Sequence, residues 1–211
     1  MTFAREILPC IGKLVREGDR VLAIGPGSSS EAARVFTSLG CYVEGFDLSG
    51  RAETVHSRHT VFDMDFMESA VWKRSDLIWA SHVLEHQRDP GLFLDRCFEL
   101  LNEGGWLVVT VPPRKDQIVG GHVSLWNMGL LLYHLILAGF DCSQASCLAH
   151  GYNLTVAVQH PGQSRLPGGL VMDSPDLAVL ERAGLWPAGL AVGKTFDGSA
   201  IEAINWPPTA D

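Results

Sequence analysis

Residues 21–47 read VLAIGPGSSSEAARVFTSLGCYVEGFD and change structural period twice. VLAIG is a short unbroken apolar run, the pattern of a strand buried on both faces. GPGSSS punctuates it with a tight turn. Ser29 or Ser30 can cap the helix EAARVFTSLG, where Ala32, Val35, Phe36 and Leu39 make an apolar face and Gly40 is a natural stop. CYVEGFD is a second strand, and it ends on a carboxylate, Asp47.

The same alternation continues outward in both directions. Upstream, Phe3, Ile7, Leu8, Ile11, Leu14 and Val15 sit at roughly helical spacing, with Pro9 marking a start or restart. Downstream, HTVF (residues 59–62) is a third strand and DLIWA (76–80) a fourth. Asp89 at the N-cap and Pro90 at the first helical position open the helix PGLFLDRCFELL. NEGG turns the chain into a fifth strand, WLVVTV, and a polar loop leads to the helix NMGLLLYHLILAGF. DCSQASCLA and YNLTVAVQH are two closely spaced final strands, expected to pair antiparallel. Strands alternating with helices specify an α/β fold with a mostly parallel sheet. From about Pro161 the periodicity fades into Pro, Gly and Trp, so residues 1–160 are expected to form the main domain and 161–211 an irregular extension packed on it.

Bulk properties narrow the function. A chain of 211 residues with 46% hydrophobic and 19% charged residues suits one soluble globular domain. A net charge of −8, with no basic run, argues against a nucleic-acid partner. No apolar stretch reaches the roughly 18 residues of a bilayer span, and no secretion signal is visible. The five cysteines are odd in number and lack a CxxC pair, which fits reduced thiols in a cytoplasmic protein.

In sheets of this kind ligands bind beyond the carboxyl ends of the strands. Here those ends carry Gly25-Pro26-Gly27, Asp47, Asp63 or Asp65, and Ser81-His82. Glycines allow close backbone approach, and a carboxylate 22 residues after Gly25 can accept bonds from both hydroxyls of a ribose. An adenosine ligand follows. A dinucleotide turn wants G-x-G-x-x-G for its pyrophosphate, whereas Ser30 stands at the third position here. A phosphate-free adenosine compound asks less of the turn.

VLAIGPG, GFDLS, DFMES and SHVLEHQRDPGLFLDRCFELLNEGGWLVVTVP occur in this order over about residues 18–160. In these motifs the chain resembles the class I S-adenosylmethionine (SAM)-dependent methyltransferases, nearest to the small-molecule branch called type 11. The resemblance implies a Rossmann-like, doubly wound, mostly parallel seven-stranded sheet with an antiparallel last strand, and SAM as cofactor. It implies that Gly25, Pro26 and Gly27 back the cofactor's methionine and ribose, and that Asp47, with Leu48 beside it, holds the ribose diol. Asp65 (Asp63 as alternative) and Phe66 would meet the adenine, while Ala80 and Ser81 line the methionine end. One departure stands out: the family commonly has an acid two residues before the first glycine, where this chain has Ala23.

If the acceptor is a hydroxyl, a histidine base assists the transfer. His122, in the glycine-flanked GGHVSLW after the fifth strand, is the first candidate and His82 the second. Glu85 and His86 are read as structural members of a turn, His134 as a core residue, and His56 and His59 as surface residues. Trp126, Trp186 and Trp206 either shape an acceptor pocket or fill a loosely built cap. The stretch from GGHVSLW onward has a faint likeness to methyltransferases found beside polysaccharide enzymes, which suggests a sugar hydroxyl. His82 to His86 also spell H-x-x-E-H, a zinc-peptidase signature that needs both histidines on one continuous helix. Pro90 follows too soon for that, so no metal site is expected. Two other functions compete: a methyltransferase-fold module that binds without turnover, suggested by Ala23, and an NAD-dependent oxidoreductase.

Overall fold

The computed structural model describes residues 5–70, 73–198 and 201–209. Phe3 lies outside them. The N-terminal segment is not one helix. A 3-10 turn leads into α1 (Leu8–Ile11), and a second 3-10 turn, Gly12–Leu14, follows. Pro9 occupies the first turn of α1, where a missing N–H costs nothing.

β1 (Arg20–Ile24), α2 (Glu31–Ser38), β2 (Tyr42–Phe46) and β3 (His59–Phe62) match the expected alternation. Ser30 does stand at the head of α2, but with φ of 45° and no capping bond from its side chain. Its hydroxyl instead donates to the carbonyl of Glu53 at 3.1 Å, tying the loop after β2 to the glycine turn. His59, expected at the surface, is 2% exposed. Its Nδ1 accepts the Val55 N–H at 3.2 Å, and burial holds its basicity below the usual range.

β4 (Ser75–Ser81) is followed by α3 (Pro90–Glu99), where Asp89 Oδ1 accepts the Leu92 N–H at 3.0 Å as the Asp-Pro start predicts. β5 (Leu101–Val111) begins earlier than expected, because NEGG is a bulge inside the strand rather than a turn before it. Gly105 makes this possible: a Cβ there would lie 3.1 Å from the Asp76 carbonyl oxygen. α4 (Met128–Leu137) is capped by Asn127, and β6 (Ser146–His150) and β7 (Asn153–Gln159) form the expected antiparallel hairpin.

The strand order is β3-β2-β1-β4-β5-β7-β6-β8, parallel from β3 to β5 and antiparallel beyond. This is the Rossmann-like sheet, with one strand more than the seven expected. The tail supplies it as β8 (Ala203–Ile204), after α5 (Asp176–Ala183) and α6 (Val192–Thr195). Among the described residues no helix is long and apolar enough to cross a membrane.

One apolar cluster lies on each face of the sheet. α1 and α2 cover one face, around Phe36 and Trp79. α3, α4 and the tail cover the other, where Leu180, Leu185, Trp186, Val192 and Ile201 join the residues of β5 and α4. This explains why NMGLLLYHLILAGF is apolar nearly all round: the sheet takes one side of α4 and the tail another. Trp126 and Trp186 are fillers of this cluster, 1% and 4% exposed, with indole N–H groups bonded to Ser124 and Thr195. Burial pushes the Cys147 thiol up to about 12, so it stays protonated and unreactive.

Contact between α4 and the tail is closest at Gly129, where a Cβ would fall 1.7 Å from the Phe196 carbonyl oxygen. Gly129→Ala should therefore push α6 off α4. Overpacking of this kind costs about 1–3 kcal/mol, or roughly 2–4 °C in Tm per kcal/mol for a chain of this size. An unchanged melting curve would show that the tail does not seat on α4.

Candidate functional site

β1 and β4 lie side by side, with Ile24 opposite Ala80, yet the chain leaves them toward opposite edges of the sheet. Strands that part in this way leave a crevice at their carboxyl ends. A cavity of about 580 Å³ opens there, lined by Gly25, Pro26, Gly27, Ser81, His82 and His122 among others. A second cavity, of about 390 Å³, lies against Phe46, Phe62 and Met64 and reaches Arg20 at the start of β1; none of the candidate residues lines it.

The two turn glycines are needed for different reasons. Both have positive φ, 64° at Gly25 and 62° at Gly27. A Cβ on Gly25 would meet Val83 Cγ2 at 2.6 Å, so this glycine lets the turn pack onto the segment after β4. A Cβ on Gly27 would meet nothing within 4 Å, so there the backbone is open to a ligand. The Gly25 N–H donates to the Phe46 carbonyl at 2.8 Å and pins the turn to β2.

Asp47 is 8% exposed and braces the same turn. Its Oδ2 accepts the Gly27 N–H at 2.9 Å; its Oδ1 accepts the Ser49 N–H at 2.8 Å and the Ser49 hydroxyl. An ionised carboxylate has about four acceptor positions, so room remains on Oδ2 for a ligand hydroxyl. Asp47 thus adjoins the cavity through Gly27. Leu48 is exposed, and Asp65 Oδ1 accepts the Met67 N–H at 2.8 Å at the head of a 3-10 turn. Phe66 and Ala80 are buried in the core cluster. These four do not line the cavity.

Two features characterise the cavity wall. Neither lysine nor arginine is among its lining residues, and the nearby Arg5 and Arg34 are engaged by Glu31 and the Ser29 carbonyl. Ser81 Oγ is shielded from solvent with no hydrogen-bond partner, a polar atom of the kind a ligand satisfies.

His82 has φ of 55°, a costly conformation for a residue with a side chain. It is held on several sides. Its N–H donates to the Thr110 carbonyl at 2.8 Å, Nδ1 lies 3.1 Å from Glu85 Oε1, and Nε2 lies 2.8 Å from Asn153 Oδ1. With both ring nitrogens facing oxygens, His82 is suited to positioning Glu85 rather than to taking a proton from a ligand.

Leu84–His86 is a single 3-10 turn, so the two histidines of H-x-x-E-H do not share an α-helix. This turn anchors the loop that carries His122. The Glu85 carbonyl accepts the N–H groups of Val123 and Ser124 at 2.9 and 3.3 Å, and His86 Nδ1 donates to the Gly121 carbonyl at 2.8 Å. The His86 and His122 rings meet edge to face, 4.9 Å between centroids. Glu85 and His86, read from sequence as turn residues only, line the cavity beside His122. The H-x-x-E-H spacing was the one signal that could have singled them out.

A family model described as a methyltransferase domain matches residues 2–159. The ubiquinone biosynthesis O-methyltransferase of Nitrobacter winogradskyi is 36% identical over 106 residues, covering 46% of this chain and 40% of that protein. The protein of the same name from Bradyrhizobium sp. is 34% identical over 106 residues, again 46% of this chain and 42% of the relative. The match thus spans less than half the length of these curated relatives. Among solved structures, the Burkholderia thailandensis 1,6-didemethyltoxoflavin-N1-methyltransferase, bound to 1,6-didemethyltoxoflavin and S-adenosylhomocysteine, superposes with a TM-score of 0.62 at 18% identity, covering 74% of this chain and 77% of that one. A SAM-dependent methyltransferase from Aquifex aeolicus gives 0.58 at 14% identity, over 75% of this chain and 90% of that one. At these identities the likeness is one of fold.

Proposed function

We propose, from the premise that this chain belongs to the methyltransferase domain family and so to the class I SAM-dependent methyltransferases, that it moves a methyl group from SAM to a hydroxyl of a small molecule. The observation that carries this reading is the turn Gly25-Pro26-Gly27, open to the cavity at Gly27, braced by Asp47 and with no lysine or arginine among the lining residues. That wall fits an adenosine compound without phosphates. Gly27 and Asp47 would hold its ribose side, Ser81 Oγ its amino-acid side, and Leu48, Asp65 and Phe66 would border the adenine.

The donor supplies a methyl carbon already activated by its sulfonium. The residues of the chain then have to align the acceptor, exclude water and receive a proton. His122 is the proposed proton acceptor, since it lines the cavity from the loop anchored to the Leu84–His86 turn. His82 is the proposed positioning residue, fixing Glu85 at the base of that loop. The relatives' name, an O-methyltransferase, supports an oxygen acceptor; no lining residue selects a sugar over another hydroxyl compound.

A second reading, a module that binds without turnover, is favoured by Ala23. This residue is fully buried in β1, and its position offers the cavity no charge for the donor's ammonium group. Calorimetric titration of the chain with SAM, and separately with NADH, is the test. We expect micromolar binding of SAM and none of NADH. Absence of SAM binding at millimolar concentration defeats methyl transfer; SAM binding without methylation of any hydroxyl compound in a labelled-donor screen selects the module.

A further inference from the structure

We infer that Glu85, His86 and His122 form a site for a divalent transition-metal ion, with zinc the best match. One donor atom from each of these residues lies within 4.8 Å of the other two.

The first observation is a buried carboxylate with one oxygen that lacks a partner. The Glu85 side chain is 0% exposed. Its Oε1 faces His82 Nδ1 at 3.1 Å, whereas Oε2 is shielded from solvent and bonded to nothing. A buried carboxylate oxygen without a donor is costly, and native proteins retain such atoms where an ion or ligand satisfies them. No lysine or arginine lines this cavity to supply the charge.

The second observation is the state of the His86 ring. Its Nδ1 is 2.8 Å from the Gly121 carbonyl oxygen, which can only accept, so the proton sits on Nδ1. In the neutral ring Nε2 then offers a lone pair, 3.9 Å from Glu85 Oε1. A backbone carbonyl holding the far nitrogen is how proteins orient a metal-binding histidine.

Two imidazoles and one carboxylate suit zinc; calcium and magnesium favour all-oxygen sets. Donors of a tetrahedral zinc site stand about 3.3 Å apart, from bonds of about 2.0–2.1 Å. The three side chains must draw together by an ångström or so, and His122, next to Gly120 and Gly121 on a surface loop, has that freedom. Three protein ligands would leave a tetrahedral ion one further position for water or a substrate oxygen. The ion would clip the His122 loop onto the Leu84–His86 turn, adding to the two N–H bonds that already reach the Glu85 carbonyl. His82 takes no part, so this is not the peptidase arrangement.

The inference stands apart from methyl transfer. Where both hold, His122 would act as a ligand in the loaded protein, and the ion would supply the charge that lowers the pKa of an acceptor hydroxyl in place of a histidine base.

The whole chain, stripped with chelator, would be titrated with cobalt(II) chloride by visible absorbance and with zinc chloride by calorimetry. No methyl donor is present, so failure here leaves the methyltransferase reading standing. The expected result is one ion per chain, micromolar or tighter, with visible cobalt bands and no thiolate charge-transfer band. His122→Ala, a loop substitution that leaves Tm unchanged, should weaken zinc binding at least tenfold. Zinc should also slow proteolysis of the His122 loop in the wild type and not in this variant. Glu85→Gln should lose binding as well; if that variant fails to fold, His122→Ala decides. Binding no tighter than millimolar, an unchanged affinity in His122→Ala, or a thiolate band that places the ion on cysteine would each overturn the site.

Discussion

Asp47→Ala is expected to weaken SAM binding about 100-fold, equivalent to about 2.7 kcal/mol. A hydroxyl bonded to a carboxylate contributes about 1.5–3 kcal/mol, and this is the interaction removed. The Gly27 N–H, which now bonds Asp47 Oδ2 at 2.9 Å, also loses its acceptor, so the binding turn itself loosens. Glu17→Ala, at an exposed carboxylate ahead of β1, should leave the affinity within about twofold, as surface substitutions away from a site do. Calorimetry on the three proteins makes the comparison. An Asp47→Ala protein that binds SAM like the wild type would remove the ribose side of the site from this turn.

His122→Ala should lower kcat about 100-fold or more, with SAM affinity within about twofold because the methyl donor's proposed anchors lie elsewhere. The assay is labelled-methyl transfer to a hydroxyl acceptor that the wild type accepts. A variant with wild-type kcat would exclude His122 from the chemistry altogether. Two rescue conditions separate its possible roles. Raising the pH ionises more of the acceptor hydroxyl and restores rate if His122 takes the proton. Excess zinc restores rate if His122 is a ligand.

Much of the fold was legible because its signals are local. VLAIG, CYVEGFD and HTVF became β1, β2 and β3 with boundaries within a residue or two, and Asp89-Pro90 began α3 where such a pair must. The tail was not legible. Its helices α5 and α6 bury residues against α4, and β8 pairs with β6 across more than fifty intervening residues. A two-residue strand has no period of its own to read. Ser30 takes the N-cap position that the sequence suggests for Ser29 or Ser30, but its hydroxyl turns to Glu53, a partner supplied by another loop.

The site divides along the same line. Sequence alone determined the α/β class, the glycine turn, the carboxylate at the end of the second strand and the likeness to SAM-dependent methyltransferases, since each depends on residue type at short range. Only the tertiary structure separated the task of Gly25, packing against Val83, from that of Gly27, which is open to the cavity. It alone showed that His82 is engaged at both ring nitrogens, and that a buried carboxylate on one turn, Glu85, lies near His122 from a loop much further along the chain. Periodicity and caps act between near neighbours along the chain. Burial, unmet hydrogen bonds and clustered charge exist only once distant segments have been brought into contact.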